Sequence, residues 1–230
     1  MKLAIVPARG GSKRIPRKNI RPFLGVPLLA RTIGLLQQSG AFDRIIVTTD
    51  DAEISAVAIE AGADVPFRRP AELSDDHTAT LPVIRHALQE MERIAGTVQA
   101  ACCVYPAAVL MDPADLVTAF VMLEQSNADY VFTATSFPFP IQRALRRAAD
   151  GSCSMFWPEH RTTRSQDLEP AYHDAGQFYW GSRAAWLEQR PIFAERSRML
   201  VLPRHRTQDI DTLEDWERAE LIFRLAQREP

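Results

Sequence analysis

The sequence predicts an α/β protein: a mostly parallel sheet with helices covering both faces. Three observations predict it. Short apolar runs alternate with amphipathic stretches of helical period along most of the chain. The run Ala100 to Tyr105 is apolar throughout, as strands buried on both faces are. The 230 residues, 46% hydrophobic and 24% charged, suffice for one domain with a full core.

Taken in order, Leu3 to Pro7 reads as the first strand. Pro27 to Gln38 reads as a helix, with Leu28, Leu29, Ile33, Leu35 and Leu36 on its apolar side and Gly40 to stop it. Arg44 to Thr49 is the second strand, after which Asp50 or Asp51 caps a helix through Ile54, Val57, Ala58 and Ala61, ending at Gly62. Asp76 or Thr78 starts a helix through Val83, Ile84, Ala87, Leu88 and Met91. Asp112-Pro113 opens another, with proline in the first turn, and Tyr130 to Thr135 is a strand.

The rhythm then breaks. Residues 137–170 are polar, arginine-rich and punctuated by proline, with no long amphipathic helix. A segment that cannot bury itself commonly packs on a second copy, so this inserted arm is expected to build a homodimer interface. The α/β pattern resumes at Gln177 to Trp180 and Leu200 to Leu202, and a last helix over Thr212 to Arg228 carries Leu213, Trp216, Ala219, Leu221, Ile222 and Leu225. In such a sheet, ligands gather at the carboxyl ends of the strands.

A net charge of −2 disfavours a general nucleic-acid binder, so any basic cluster must act locally. No apolar stretch approaches the ~20 residues that span a bilayer. Lys2 is followed by no signal-peptide core, so the cytoplasm is the expected compartment and no membrane partner is expected. Cys102, Cys103 and Cys153 are odd in number, and the first two fall on opposite faces of one strand. The adjacent pair is expected to be buried reduced thiols, and neither a disulfide nor a zinc site is expected.

The first strand runs directly into Ala8-Arg9-Gly10-Gly11-Ser12-Lys13-Arg14-Ile15-Pro16-Arg17-Lys18-Asn19. Five cations fall within ten residues that carry no acid, a match for the charge of a nucleoside triphosphate. Two adjacent glycines are expected to turn with positive φ and bring bare backbone N–H groups to a polyanion. A charge run can also be a solvated surface. Here an apolar strand feeds straight into Gly-Gly, and Asn19-Ile20 closes the run, which favours a site. Neither G-x-G-x-x-G nor G-x-x-x-x-G-K-[ST] is present, disfavouring a dinucleotide oxidoreductase and a P-loop ATPase.

A second chemical signal is Gln208-Asp209-Ile210-Asp211-Thr212, between the late strand and the last helix. Carboxylates at i and i+2 of an extended segment face the same side, which suits a hard divalent cation, Mg²⁺ best. Asp211 or Thr212 could instead cap the helix, but capping accounts for one acid and leaves Asp209 unexplained.

Together, Ile5 to Ile20, Arg69-Pro70-Ala71-Glu72-Leu73 and Asp209-Ile210-Asp211-Thr212 resemble the acylneuraminate cytidylyltransferase family, over nearly the whole chain. Val65-Pro66-Phe67, Ala71 to Asp76, Cys102 to Tyr105 and Ala171 to Trp180 resemble its pseudaminate-activating branch most. The Ser-Thr-Arg-Leu-Pro-Gly-Lys-Pro pattern typical of the related Kdo enzymes is not matched. The resemblance implies a Rossmann-like three-layer α/β/α nucleotidyltransferase fold, a homodimer, and Mg²⁺-dependent reaction of CTP with a nine-carbon α-keto acid sugar.

It further implies roles for individual residues. Arg9 and Lys13 would hold the triphosphate with help from Lys18, over a cradle of backbone from Ala8, Gly10, Gly11 and Ser12. Asn19, Arg69, Thr78 and Thr80 would place the nucleotide, and Asp209 and Asp211 would bind Mg²⁺. Asp211 or a metal-bound water would take the sugar's proton. Tyr105, His173, Gln177 and Tyr179 match the acceptor side, where sialic acid enzymes usually have Gln in place of Tyr105 and Arg in place of His173. That difference favours pseudaminate over N-acetylneuraminate; legionaminate is a further alternative sugar. Read without the resemblance, these four are also compatible with core or structural positions.

Two departures stand out. Pro106-Ala107-Ala108-Val109 replaces the usual Pro-Thr-Ala-Pro or Pro-Thr-Ser-Pro, losing a hydroxyl and a turn proline. Leu168-Glu169-Pro170 stands where near relatives have Leu-Pro-Glu. The first adjoins the expected acceptor pocket and keeps open a nucleotide-binding homologue without turnover.

Overall fold

A computed structural model describes residues 1–75 and 78–226. The elements run β1 (Lys2–Pro7), β2 (Pro22–Phe23), β3 (Val26–Pro27), α1 (Leu28–Ser39), β4 (Arg44–Thr48), α2 (Ala52–Glu60), α3 (Thr80–Ala95) and β5 (Ala100–Val104). They continue with α4 (Pro113–Gln125), β6 (Tyr130–Ser136), β7 (Leu145–Arg147), β8 (Cys153–Met155), β9 (Tyr172–Ser182), α5 (Arg183–Leu187), β10 (Ser197–Leu202) and α6 (Leu213–Ala226).

Six strands form the central sheet in the order β10-β6-β9-β5-β1-β4. The β1–β4, β1–β5 and β6–β10 pairs are parallel, while β9 runs antiparallel between β5 and β6. Alternation along each strand splits the core into two layers. Ala4, Val6, Cys102 and Val104 meet α1, α2 and α4 through Leu29, Ile33, Ala58 and Leu116. Leu3, Ile5, Ala101 and Cys103 meet α3 and α5 through Ile84, Leu88, Met91 and Trp186. The fold is thus a Rossmann-like three-layer α/β/α sandwich, and the two cysteines lie buried on opposite faces of β5.

Local chemistry sets the boundaries. Gly40 ends α1 in the left-handed region at φ 60°, where a side chain would be strained. Asp51, not Asp50, caps α2 by accepting from the Glu53 and Ile54 amides. Asp112 caps α4 through the Ala114 amide, with Pro113 in the first turn.

The structure corrects two expectations. α3 begins at Thr80 rather than Thr78, whose amide and hydroxyl both donate to Asp75 Oδ1, at 2.6 Å each. The alternative start Asp76, and the expected helix end Arg228, lie outside the described residues. The strand expected at Gln177–Trp180 is the middle of an eleven-residue antiparallel strand, followed at once by α5.

That long strand positions the site. β5 stops at Val104, opposite Phe178, whereas the first half of β9 continues alongside β6, past an irregularity between Phe132 and Ala134. A crevice therefore opens above the end of β5, between β1 and the first half of β9. The arm, residues 137–170, projects as the β7–β8 hairpin and short turns, with Phe139 79% exposed and Leu145 61% exposed.

Candidate active site

The crevice holds a cavity of about 330 Å³. Arg9, Ser12, Lys18 and Asn19 line it from the loop after β1. Tyr105 to Ala108 line it after β5, Asp174, Gln177 and Tyr179 from β9, and Gln208 and Asp209 from the segment before α6. A larger groove of about 710 Å³ shares Asp174, Gln208 and Asp209 with it and carries His173, Arg204, His205 and Arg218.

The loop after β1 differs from expectation in how it turns. Neither glycine has positive φ; the left-handed residue is Arg17, at φ 57°, held there by ion pairs with Asp51 and Glu53. Gly10 is instead needed for close approach, since a Cβ there would sit 2.6 Å from Asp51 Oδ2. Its amide donates to Asp50 Oδ1 at 3.2 Å, so a carboxylate takes the backbone donor expected for phosphate. Gly11 has open space where its Cβ would be, and Ala8 is buried. Lys13 is exposed, while Asn19 is buried and ties the loop to itself by donating to the Arg9 carbonyl at 3.0 Å.

Loop and carboxylate segment meet directly. Lys18 Nζ donates to the Ile210 carbonyl at 2.6 Å, and Arg14 pairs with Asp211 at 2.7 Å. Lys18 Nζ also stands 3.7 Å from Asp211. Thr212, not Asp211, caps α6: its hydroxyl accepts from the Asp215 amide at 3.2 Å, and Asp215 accepts from the Thr212 amide at 2.8 Å. Both Asp209 and Asp211 are thereby left over from capping. Asp209 keeps solvent contact, yet desolvation by the surrounding wall first, and repulsion from Asp211 second, push its carboxyl above the ordinary range.

On the acceptor side, the Tyr105 hydroxyl bonds Thr80 Oγ1 at 2.9 Å, and its ring meets Tyr179 edge-on at 5.6 Å. Burial pushes Tyr105 up to about 12, and burial with neighbouring Tyr105 and Asp174 pushes Tyr179 higher, so both hydroxyls stay protonated. Tyr179 donates to Asp174. Gln177 is 3% exposed.

Not every expected residue reaches the cavity. Arg69 is buried with its guanidinium on the Thr48 hydroxyl and carbonyl, and desolvation lowers it to about 10. It lines a separate hollow with Asp50, Pro70 and Asp75. Thr78 faces Asp75, Thr80 acts through Tyr105, and His173 lies in the neighbouring groove. Arg14 and Gln208 fall inside the two motifs read from sequence but receive no individual role there, and neither does Asp174. Asp174 lay inside the Ala171 to Trp180 motif and could have been given one.

Residues 3–224 match the family model described as cytidylyltransferase. The chain belongs to the cytidylyltransferase family. This family member is 43% identical over 223 residues to pseudaminic acid cytidylyltransferase of Campylobacter jejuni, a match covering 97% of this chain and 96% of that protein. It is 28% identical to the CMP-N,N'-diacetyllegionaminic acid synthase of Legionella pneumophila, over 98% and 97% of the two chains. Among solved structures it shares the fold of a CMP:2-keto-3-deoxy-manno-octonic acid synthetase complexed with CTP, with TM-score 0.70 at 14% identity over 99% of both chains.

Proposed function

We propose that this cytidylyltransferase family member activates pseudaminic acid. The sugar's anomeric oxygen attacks the α-phosphorus of CTP, the bond to the β-phosphate breaks, and CMP-pseudaminic acid and pyrophosphate result. The observation that carries this reading is one cavity lined both by Arg9, Ser12, Lys18 and Asn19 of the loop after β1 and by Tyr105, Gln177 and Tyr179. The identity to the Campylobacter enzyme supports the choice of sugar.

Such a transfer depends on placing two anions together and neutralising the charge that develops, so cations matter more than a nucleophilic side chain. In this reading Arg9, Lys13 and Lys18 receive the triphosphate, and Arg69, Thr78 and Thr80 shape the cytidine side. Asp209 and Asp211 fit Mg²⁺, because the repulsion between them is what a dication relieves, and two carboxylates plus phosphate oxygens are its ordinary environment. Bound there, Mg²⁺ would supply neutralisation of phosphate charge. The hydroxyl proton passes to a carboxylate of this segment, and Tyr105, His173, Gln177 and Tyr179 orient the sugar.

We also take residues 1–230 as one catalytic domain whose arm, residues 137–170, joins a second copy, acting in the cytoplasm where CTP is available. Exposed Phe139, Leu145, Phe156 and Trp157 support the interface. Among the described residues no helix is long and apolar enough to cross a membrane.

The test is mass balance. With CTP, Mg²⁺ and pseudaminic acid, pyrophosphate and a CMP-linked sugar are expected in equal amounts by mass spectrometry. Absence of the CMP-sugar would overturn the reading.

A further inference from the structure

Gln177 is the buried polar side chain of the acceptor wall, and its carboxamide is held from one side. Its Nε2 donates to the Arg206 carbonyl at 2.6 Å. A backbone carbonyl only accepts, so the nitrogen must face Arg206 and the oxygen must face away from it. That oxygen is buried and has no donor among the described residues. A buried acceptor without a donor is costly, so such groups are nearly always paired. Gln177 also lines the cavity, so a donor carried by a bound ligand is the partner that would complete it.

The Arg206 side chain lies outside the cavity. Its guanidinium pairs with Asp115 in the first turn of α4, and stands 3.6 Å from Asp112. These contacts pin the 204–206 turn to a rigid helix end, and the same turn leads on to Gln208 and Asp209 in the cavity wall. We infer that Arg206 is a positioning residue: clamped to α4, it commits Gln177 to accept a hydrogen bond, so the acceptor sugar must bring an O–H or N–H to that place. The sugar half of this inference rests on the function proposed above; the clamp does not.

The clamp is read by the hydrogen exchange of the Gln177 side-chain amide, followed by NMR in protein labelled with ¹⁵N-glutamine. Protection is expected in the wild type and in Arg206→Lys, and its loss in Arg206→Met. Asp115→Asn loosens the same clamp from the helix side should Arg206→Met fail to fold. In kinetics, Arg206→Met is expected to raise the KM for the sugar about tenfold, the worth of one hydrogen bond, with CTP affinity unchanged. Adding it to Gln177→Ala is expected to cost nothing more, because both remove one interaction. Unchanged amide exchange would overturn the inference, as would equal loss of CTP and sugar affinity, which marks general loosening. Lost protection in a protein that turns over no nonulosonate would uphold the clamp and defeat the proposed function.

Discussion

Asp209, proposed as a metal ligand, is held at a cost to the fold. Desolvation and the neighbouring carboxylate keep Asp209 above the ordinary carboxyl range, so the folded chain binds its proton more tightly than the unfolded chain does. Stability therefore falls as pH rises through that range. Asp209→Asn is expected to raise the melting temperature of the ligand-free protein at pH 7, to lose that advantage below about pH 4, and to abolish turnover. A lower melting temperature at pH 7 would contradict this. At this scale the sequence reveals residues whose roles are local. Arg9, Ser12, Lys18 and Asn19 sit in one contiguous motif and share one wall. Arg14 and Arg206 were illegible as site partners because Asp211 and Asp115 lie far along the chain from them. The wrong expectation about Gly10 came from reading glycine as a turn former, where close packing on Asp51 requires it.

The elements rest on caps and close approaches. Asp51 joins α2 to the loop after β1, since its carboxylate both caps the helix and receives Arg17. The Arg17 hydrogen bond is foremost in holding its carboxyl below the ordinary range. A depressed carboxyl contributes stability above that range and loses it as pH falls. Asp51→Ala is therefore expected to cost about 1–2 kcal/mol in denaturant unfolding at pH 7, with the difference from wild type shrinking below about pH 4. Gly181, next to the end of strand β9 before α5, has Tyr130 ring carbons 2.7 Å from where a Cβ would stand, along with the Trp186 indole. Gly181→Ala is expected to destabilise by about 1–3 kcal/mol, read from the same unfolding curves. α1 was legible from its helical period, and β1, β4 and β5 from their short continuous apolar runs. The start of β9 was not: Tyr172 to Asp174 are exposed and polar in pattern, and only pairing with β6 makes them a strand. Five-residue α5 is too short to show a helical period.

At the scale of the whole molecule, the arm is the part whose residues bury least within one chain. Phe139 and Leu145 project apolar side chains into solvent, a cost that a second copy would remove. Phe139→Glu combined with Leu145→Glu is expected to convert a dimer to a monomer by light scattering, with the sandwich still folded by circular dichroism. A wild-type monomer would contradict the assignment of the arm. The central claim joins the three scales: a triphosphate wall and an acceptor wall, brought together above the end of β5, serve one sugar acid. The most direct measurement offers CTP and Mg²⁺ with equal concentrations of pseudaminic, N-acetylneuraminic and legionaminic acids in one vessel, and quantifies each CMP-sugar. CMP-pseudaminic acid as the dominant product is the expected result; dominance of another CMP-sugar, or none at all, would contradict the account.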